Sequence, residues 1–180
     1  MGTDKALLDI DGRPLLERVL QAARPLGLPL FLVAPPRPAY AAFGLPLIED
    51  RAPGRGPVGG LDTALNHLAD TEADSVLLLA CDLPHLSSDF LRFLLESFVE
   101  GDALVPVDDH GPQPLCAIYR TSAAPTVQAA LADDRLSLRR LLNQLETVYL
   151  PKEKWQAFDP HGRLLDNLNT PEDYSRAGLP

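Results

Sequence analysis

The feature that most constrains the fold of this chain is an unbroken apolar run, Val76–Cys81, that ends at the carboxylate of Asp82. A run without polar alternation that is too short for a typical helix predicts a β-strand buried on both faces of a parallel sheet. Pro84 cannot continue a strand ladder, so the chain is expected to leave the sheet there. Ligands of open α/β sheets bind at the carboxyl ends of strands, and Asp82 lies at such an end.

Asp82 fits two interpretations. It is a turn former or a cap for the helix predicted to begin at Ser87 and Ser88, since Asp is common in both positions. Alternatively, it is a ligand for Mg²⁺. A buried strand followed by a lone acid favours the metal ligand only modestly, because structural acids also lie at strand ends.

The composition narrows the class of protein. The 180 residues carry a formal net charge of −9, and 46% of them are apolar. This is an ordinary globular composition, and without repeats or linkers it predicts a single domain over residues 1–180. The negative charge argues against a nucleic acid partner, because nucleic acids are bound through clustered Lys and Arg. No apolar run approaches the ~20 residues of a membrane span, so no membrane partner is expected.

The cysteines indicate the compartment. Cys81 and Cys116 are far apart in apolar, strand-like segments, so their spacing indicates neither a disulfide nor a zinc site. Reduced core cysteines and the absence of a signal-peptide pattern predict a cytoplasmic protein. The four histidines show no metal-ligand spacing and are predicted to lie on the surface or in loops.

Strand-like and helix-like segments alternate along the chain and predict an α/β fold. Strands are predicted at 28–34, 45–48, 76–81, 103–107, 115–119 and 148–150. Helices are predicted at 14–26, 39–43, 61–68, 87–100, 121–131 and 136–145.

A second predicted strand, 45–48, ends at Glu49 and Asp50 and is followed by the glycine-rich stretch Ala52–Leu61. Glycines directly before a helix let backbone amides approach a ligand, and the helix amino terminus favours an anion. A flexible loop is the alternative, and no Gly-Lys-Ser/Thr follows to make a Walker loop. Lys5, taken alone, fits an exposed surface lysine.

Seven short motifs, taken together and in order, resemble those of the molybdenum cofactor guanylyltransferases. They are Gly2–Leu8, Ile48–Asp50, Gly56–Leu61, Cys81–Pro84, Gln113–Tyr119, Ser137–Arg139 and Asn169–Asp173. The resemblance implies a Rossmann-like three-layer α/β/α nucleotidyltransferase fold with a mostly parallel sheet. It also implies the transfer of GMP from GTP to molybdopterin-bound molybdenum cofactor, with release of pyrophosphate.

The resemblance further implies roles for individual residues. Asp82 holds Mg²⁺ against the nucleotide phosphates and Lys5 neutralises charge at the α-phosphate, so these two are the expected catalytic residues. Asp50 contacts the nucleoside, and Asn169 matches an asparagine near the metal or the acceptor. The full set expected to bind nucleotide or metal is Lys5, Asp50, Gly56, Pro57, Gly59, Gly60, Asp82 and Asn169. The expected partners are GTP, molybdopterin and other proteins of molybdenum cofactor assembly.

The chain departs from the family pattern at two places. The family has a strand and the loop Leu-Ala-Gly-Gly-x-Ser-x-Arg directly before Met-Gly, whereas Met1 occupies the place of that methionine here. We therefore expect these 180 residues to lack one strand of the domain, and the structure to show a gap or a borrowed strand beside Val76–Cys81. Ala34 stands where the family often has an asparagine, which puts one nucleoside contact in doubt.

Other functions stay open on the sequence. One is a sister nucleotidyltransferase that uses CTP, or that acts on a sugar phosphate or phospholactate. Another is a catalytically silent nucleotide-binding protein of cofactor assembly.

Overall fold

The structure, a computed structural model, describes residues 4–10 and 12–168, and these residues contain nine strands and six α-helices. The strands are β1 (Asp9–Ile10), β2 (Arg13–Pro14), β3 (Leu32–Val33), β4 (Leu47–Ile48), β5 (Ser75–Leu79), β6 (Ala103–Asp108), β7 (Gly111–Pro112), β8 (Cys116–Arg120) and β9 (Thr147–Leu150). The helices are α1 (Leu15–Ala23), α2 (Gly56–Leu68), α3 (Ser88–Ser97), α4 (Ala124–Ala132), α5 (Leu138–Leu141) and α6 (Lys152–Trp155).

The predicted α/β class is confirmed, but several elements are shorter than their apolar patterns. The helix predicted over 14–26 ends at Ala23 and continues as a 3-10 turn, Arg24–Leu26. Pro25 lies in that turn and has no N–H for a helical hydrogen bond, and Gly27 ends the turn with φ 70°. The apolar run 28–34 forms only the two-residue strand β3.

The main sheet is mixed. β8 pairs antiparallel with both β5 and β6, and β9 pairs parallel with β6 on the side of β6 away from β8. The run predicted to lie in a parallel sheet, β5, therefore has an antiparallel neighbour, because β8 lies between β5 and β6. The topology still orients β5, β6 and β9 in the same direction. Their carboxyl ends share one edge of the sheet, which we call the C-terminal edge.

Helices cover both faces of this sheet and produce the three predicted layers. On one face, α1 and α3 pack on Leu77, Leu79 and Ile118. On the other face, α2, α4 and α5 pack on Val76 and Leu78. Successive residues of β5 therefore point into opposite clusters, as the two-residue repeat of a strand requires.

β5 is less buried than its apolar sequence predicts. Its five residues are all half-buried, whereas four of the five residues of β8 are fully buried. Among the described strands, β5 pairs only with β8, and β3 and β4 form a separate parallel pair. The edge of β5 that faces away from β8 thus has no partner among the described strands, and the missing strand stays a prediction.

The β3–β4 pair packs near the carboxyl end of β5. Leu32 of β3 and Leu47 of β4 pack in the same apolar cluster as Cys81, which follows β5. Helix α2 contacts both β3 and β5 and so joins the two sheets.

Within the ranges described above, no helix has the length and apolar character required to cross a membrane.

Candidate active site

The structure brings Lys5 and Asp82 into direct contact, although 77 residues separate them in sequence. The Lys5 ammonium lies 2.6 Å from Asp82 Oδ2, and the two side chains are 31% and 17% exposed. The pair is therefore open to a ligand but partly shielded from bulk water. The two residues that the resemblance makes catalytic share one site at the C-terminal edge.

A backbone hydrogen bond fixes the position of Asp82, and one of its carboxylate oxygens makes no hydrogen bond with the described residues. Its carbonyl accepts a hydrogen bond from the Leu168 N–H at 3.1 Å, which fixes the loop after β5. Its Oδ1 is buried and has no hydrogen-bond partner in the part of the chain that the structure describes. An orphaned buried carboxylate oxygen is costly, because it has lost its water without gaining a donor. Asp82 Oδ1 is thus suited to receive a cation.

This arrangement fits Mg²⁺ bound mainly through its substrate. Over residues 4–10 and 12–168, no group of three or more acidic, histidine or cysteine side chains could hold a metal ion. Mg²⁺ is typically held by one or two carboxylates together with substrate phosphates and water. A single carboxylate from Asp82 meets that requirement.

A second group of residues, missed by the sequence analysis, holds the segment that carries Lys5. Asp4 caps the 3-10 turn Lys5–Leu7 by accepting a hydrogen bond from the Ala6 N–H at 3.3 Å. Its other carboxylate oxygen lies 2.6 Å from the Arg37 guanidinium and accepts a hydrogen bond from the Tyr40 hydroxyl at 3.0 Å. We call Asp4, Arg37 and Tyr40 the Asp4 cluster. Because it joins residues more than 30 positions apart, no local sequence pattern could reveal it.

Burial shifts the ionisation of two groups beside this site. Burial raises the pKa of Tyr40 to about 12, and the hydrogen bond to Asp4 adds to the shift. Burial also raises the pKa of the Cys81 thiol to about 11, with a further contribution from the neighbouring charge of Asp82. Both groups are therefore neutral near pH 7, so the charges of the site belong to its lysine and carboxylates.

Asp50 organises the loop that leads into α2. Asp50 Oδ1 accepts hydrogen bonds from the Ala52 N–H at 2.9 Å and from the Thr63 hydroxyl at 3.1 Å. The same Thr63 oxygen accepts a hydrogen bond from the Arg51 N–H at 3.0 Å, and Thr63 is fully buried. Asp50 therefore has a structural role in this loop, and its contact with the nucleoside stays a prediction.

Glycine is present at positions 56, 59 and 60 for different physical reasons. Gly56 begins α2 with φ 60°, a conformation that favours glycine, and an added Cβ would meet no atom within 4 Å. A Cβ on Gly60 would also point into open space, whereas on Gly59 it would meet the Ala52 carbonyl oxygen at 2.9 Å. Gly59 is thus explained by packing of the loop. Gly56 and Gly60 leave room beside the first turn of α2, which also contains Pro57.

The predicted site residues therefore form two units. One contains Lys5 and Asp82, and the other is the loop from Asp50 to Arg55 together with the first turn of α2, up to Gly60. Helix α2, which follows the Asp50 loop, contacts β5, which leads to Asp82. Asn169, expected near the metal or the acceptor, lies outside the described residues.

Comparisons with known proteins show what this chain is similar to. A family model described as "MobA-like NTP transferase domain" matches residues 1–148. A probable molybdenum cofactor guanylyltransferase from Carboxydothermus hydrogenoformans is 33% identical over 176 residues, covering 98% of this chain and 87% of that protein. Its counterpart from Deinococcus radiodurans is 38% identical over 149 residues, covering 82% of this chain and 75% of that protein.

A solved structure is similar as well. Molybdopterin-guanine dinucleotide biosynthesis protein A from Archaeoglobus fulgidus superposes with a TM-score of 0.82 at 29% sequence identity. The match covers 98% of this chain and 89% of the other.

Proposed function

Because this chain belongs to the MobA-like NTP transferase family and is thus a nucleotidyltransferase, we propose that it transfers GMP from GTP to molybdopterin-bound molybdenum cofactor. An oxygen of the acceptor's terminal phosphate attacks the α-phosphorus of GTP and forms a new P–O bond. The bond from that phosphorus to the bridging oxygen of the β-phosphate breaks, and pyrophosphate leaves. The products are molybdopterin guanine dinucleotide and pyrophosphate.

The observation that carries the proposal is the contact between Lys5 and Asp82, with Asp82 Oδ1 left unpaired. Asp82 would hold Mg²⁺, which supplies neutralising charge to the triphosphate when bound. Lys5 would move from Asp82 to an α-phosphate oxygen and stabilise the charge that develops there. Chemistry of this kind requires positioning and electrostatic stabilisation, and no covalent nucleophile.

The nucleotide and the acceptor are assigned to opposite sides of Asp82. The nucleotide is assigned to the Asp50–Arg55 loop and the first turn of α2, where open space at Gly56 and Gly60 leaves room for base and ribose. The acceptor then approaches from the side of β8, β6 and β9. The names of the relatives support a role in the biosynthesis of a molybdenum cofactor. A cytoplasmic location and partner proteins of cofactor assembly belong to the same proposal.

The test is to incubate the full chain with Mg²⁺, molybdenum cofactor and either GTP or CTP. We expect the guanine dinucleotide and pyrophosphate with GTP and a much slower reaction with CTP. A preference for CTP would replace guanylyl with cytidylyl transfer. Transfer only to a sugar phosphate or phospholactate would replace the acceptor, and binding of nucleotide without any product would indicate a catalytically silent protein.

A further inference from the structure

An ion pair joins the start of α2 to the loop that follows α4, although its two residues lie 79 positions apart in sequence. Arg55 is the residue directly before α2, and its guanidinium donates a hydrogen bond to the carboxylate of Asp134. Arg55 belongs to the region that the proposed function assigns to the nucleotide. The pair therefore ties that region to the end of a second helix, α4.

The backbone on either side of Arg55 is free of steric restriction. Gly54 and Gly56 flank it with φ 81° and 60°, and an added Cβ at either glycine would meet no atom within 4 Å. Glycine adopts positive φ without steric cost, so these two positions leave the chain more freedom than other residues would. The Arg55 N–H donates to the Ala52 carbonyl at 3.1 Å and fixes the turn locally. The ion pair with Asp134 adds a long-range contact to this local one.

Asp134 occupies a position where a carboxylate is unfavourable. The Asp134 N–H donates to the Leu131 carbonyl and the Arg135 N–H donates to the Ala130 carbonyl, which is the Schellman pattern at the end of α4. Glycine is the usual residue at the left-handed position of this motif, yet Asp134 has φ 57°, the only positive φ of a non-glycine residue over 4–10 and 12–168. The helix dipole also disfavours a negative charge at a helix C-terminus. Local structure therefore favours glycine here, and the contact with Arg55 is what the carboxylate provides.

The ion pair is too exposed to contribute much to folding. The Arg55 and Asp134 side chains are 44% and 73% exposed, and exposed pairs add little to stability. Their contact does, however, restrict where the first turn of α2 lies relative to α4. A loop that is already held in its bound conformation loses less conformational freedom when a ligand binds, so the ligand binds more tightly.

We propose that Arg55 and Asp134 are positioning residues for the nucleotide. Their ion pair holds the start of α2, with the open positions Gly56 and Gly60, in the conformation that receives base and ribose. This inference rests on the proposed function, which assigns the nucleotide to this region. The two residues act through the loop rather than by contact with the nucleotide, and the unfavourable placement of Asp134 serves binding rather than stability.

Asp134→Gly tests the inference because stability and binding should change in opposite directions. Glycine suits the left-handed position, so the melting temperature should rise by about 1–3 °C. Loss of the ion pair should weaken the binding of GTP to the full chain in the presence of Mg²⁺ by about two- to fivefold, the range that an exposed pair allows, measured by calorimetry. A purely structural role would change the melting temperature alone. Unchanged or tighter binding of GTP would overturn the inference.

A double-mutant cycle separates the ion pair from direct contact with the nucleotide. Arg55→Gln, Asp134→Asn and the double variant should all weaken the binding of GTP to the same degree, because each change breaks the same pair. Arg55→Lys keeps the positive charge and should retain most of the affinity. Additive losses in the double variant would show that Arg55 acts independently of Asp134, and the inference would be wrong.

The next ion pair of the same loop is a matched control. Asp133 lies 2.8 Å from Arg135, and both side chains are exposed. Asp133→Asn removes a carboxylate from the same end of α4 and leaves the link between Arg55 and Asp134 in place. The affinity for GTP should therefore stay the same. A loss equal to that of Asp134→Asn would assign the effect to the overall charge of the loop and would contradict the inference.

The transfer assay separates this inference from the proposed function. The Arg55 and Asp134 variants should raise the KM for GTP and leave kcat nearly unchanged. If the chain forms the dinucleotide but the cycle shows no coupling between the two residues, the positioning role is wrong and the function stands. If GTP binds with the expected coupling but no dinucleotide forms, the positioning role stands and the function is wrong.

Discussion

At the scale of single residues, the contact between Lys5 and Asp82 concentrates the proposed chemistry in two side chains. Each is reached from a different part of the chain, and each is anchored by backbone contacts as well as by the other's charge. Because both are partly exposed, their ion pair contributes little to stability. Substitutions of these residues should therefore separate activity from folding.

We predict that Asp82→Ala lowers kcat by at least about 100-fold, because it removes the carboxylate assigned to Mg²⁺. Lys5→Ala should lower kcat to a similar degree. The free energy of unfolding should change by no more than about 1 kcal/mol in Asp82→Ala. It should fall by about 1–3 kcal/mol in Lys5→Ala, which leaves the Asp82 carboxylate without its cation. Urea denaturation measures both. Asp70→Asn is the control for loss of an acidic residue. An Asp82→Ala protein that unfolds readily but keeps its activity per folded molecule would make Asp82 structural.

A second prediction concerns the Asp4 cluster. Asp4→Asn keeps an oxygen to cap the 3-10 turn but removes the charge paired with Arg37, so the turn that carries Lys5 should become less fixed. We expect kcat to fall about tenfold with little change in the KM for GTP. Tyr40→Phe removes only one hydrogen bond and should have a smaller effect. If Asp4→Asn lowers the melting temperature but not kcat, the cluster is structural alone.

The sequence located Asp82 but could not reveal how it is used. A carboxylate directly after an apolar strand is a local pattern, and so it can be recognised without the fold. Its contact with Lys5 depends on tertiary structure, and the resemblance implied only that the two residues act on the same nucleotide. The Asp4 cluster has neither a local pattern nor a motif, and only the structure revealed it.

At the scale of elements, the loop before α2 shows how a buried hydroxyl shapes a binding surface. Thr63 lies inside α2, yet its oxygen bonds both to Asp50 and to the backbone of Arg51. The conformation of the loop is thus fixed from within the helix.

We predict that Thr63→Val, which keeps the side-chain shape but removes the hydroxyl, lowers the free energy of unfolding by about 1–3 kcal/mol. The Arg51 N–H would lose its acceptor, and Asp50 would lose one donor. The KM for GTP should rise while kcat changes little, if the loop holds the nucleoside. Thr63→Ser retains the hydroxyl and is the control. An unchanged KM in a destabilised Thr63→Val protein would assign this loop to stability only.

Sequence patterns predicted the long elements better than the short ones. The spacing of apolar residues located α3 to within a few residues, because one face of that helix is continuously buried. The apolar run 28–34 suggested a full strand, but only β3 forms because its partner β4 is equally short. The direction of the neighbours of β5 depends on β8, about 40 residues later, and apolar character alone does not encode it.

At the scale of the whole molecule, burial raises the pKa of several cysteine and tyrosine side chains. Burial raises the pKa of Cys81 to about 11, of Cys116 to about 12 and of Tyr40 to about 12. In the unfolded chain these groups would lose their protons near their ordinary values. The folded state therefore keeps protons that the unfolded state releases as pH rises.

We predict that the free energy of unfolding falls as pH increases from about 9 to about 12. Over that range the unfolded state binds fewer protons than the folded state, so the slope of stability against pH is negative. The total loss should be on the order of several kcal/mol. Urea denaturation at a series of pH values measures it, and Cys116→Ala should make the curve shallower. A stability that is flat to pH 12 would contradict the assigned burial.

The contact between Lys5 and Asp82 also makes the ammonium and a metal ion competitors for one carboxylate. Mg²⁺ alone must bind beside a positive charge, whereas a triphosphate attracts Lys5 and frees Asp82 for the ion. Mg²⁺ and GTP should therefore show heterotropic cooperativity, with each tightening the other by about 5- to 150-fold. Calorimetric titration of Mg²⁺ with and without a non-hydrolysable GTP analogue measures this coupling. Lys5→Met should strengthen Mg²⁺ binding in the absence of nucleotide and weaken the coupling. In the native protein, Lys5 would then keep Mg²⁺ from binding to Asp82 before the nucleotide does.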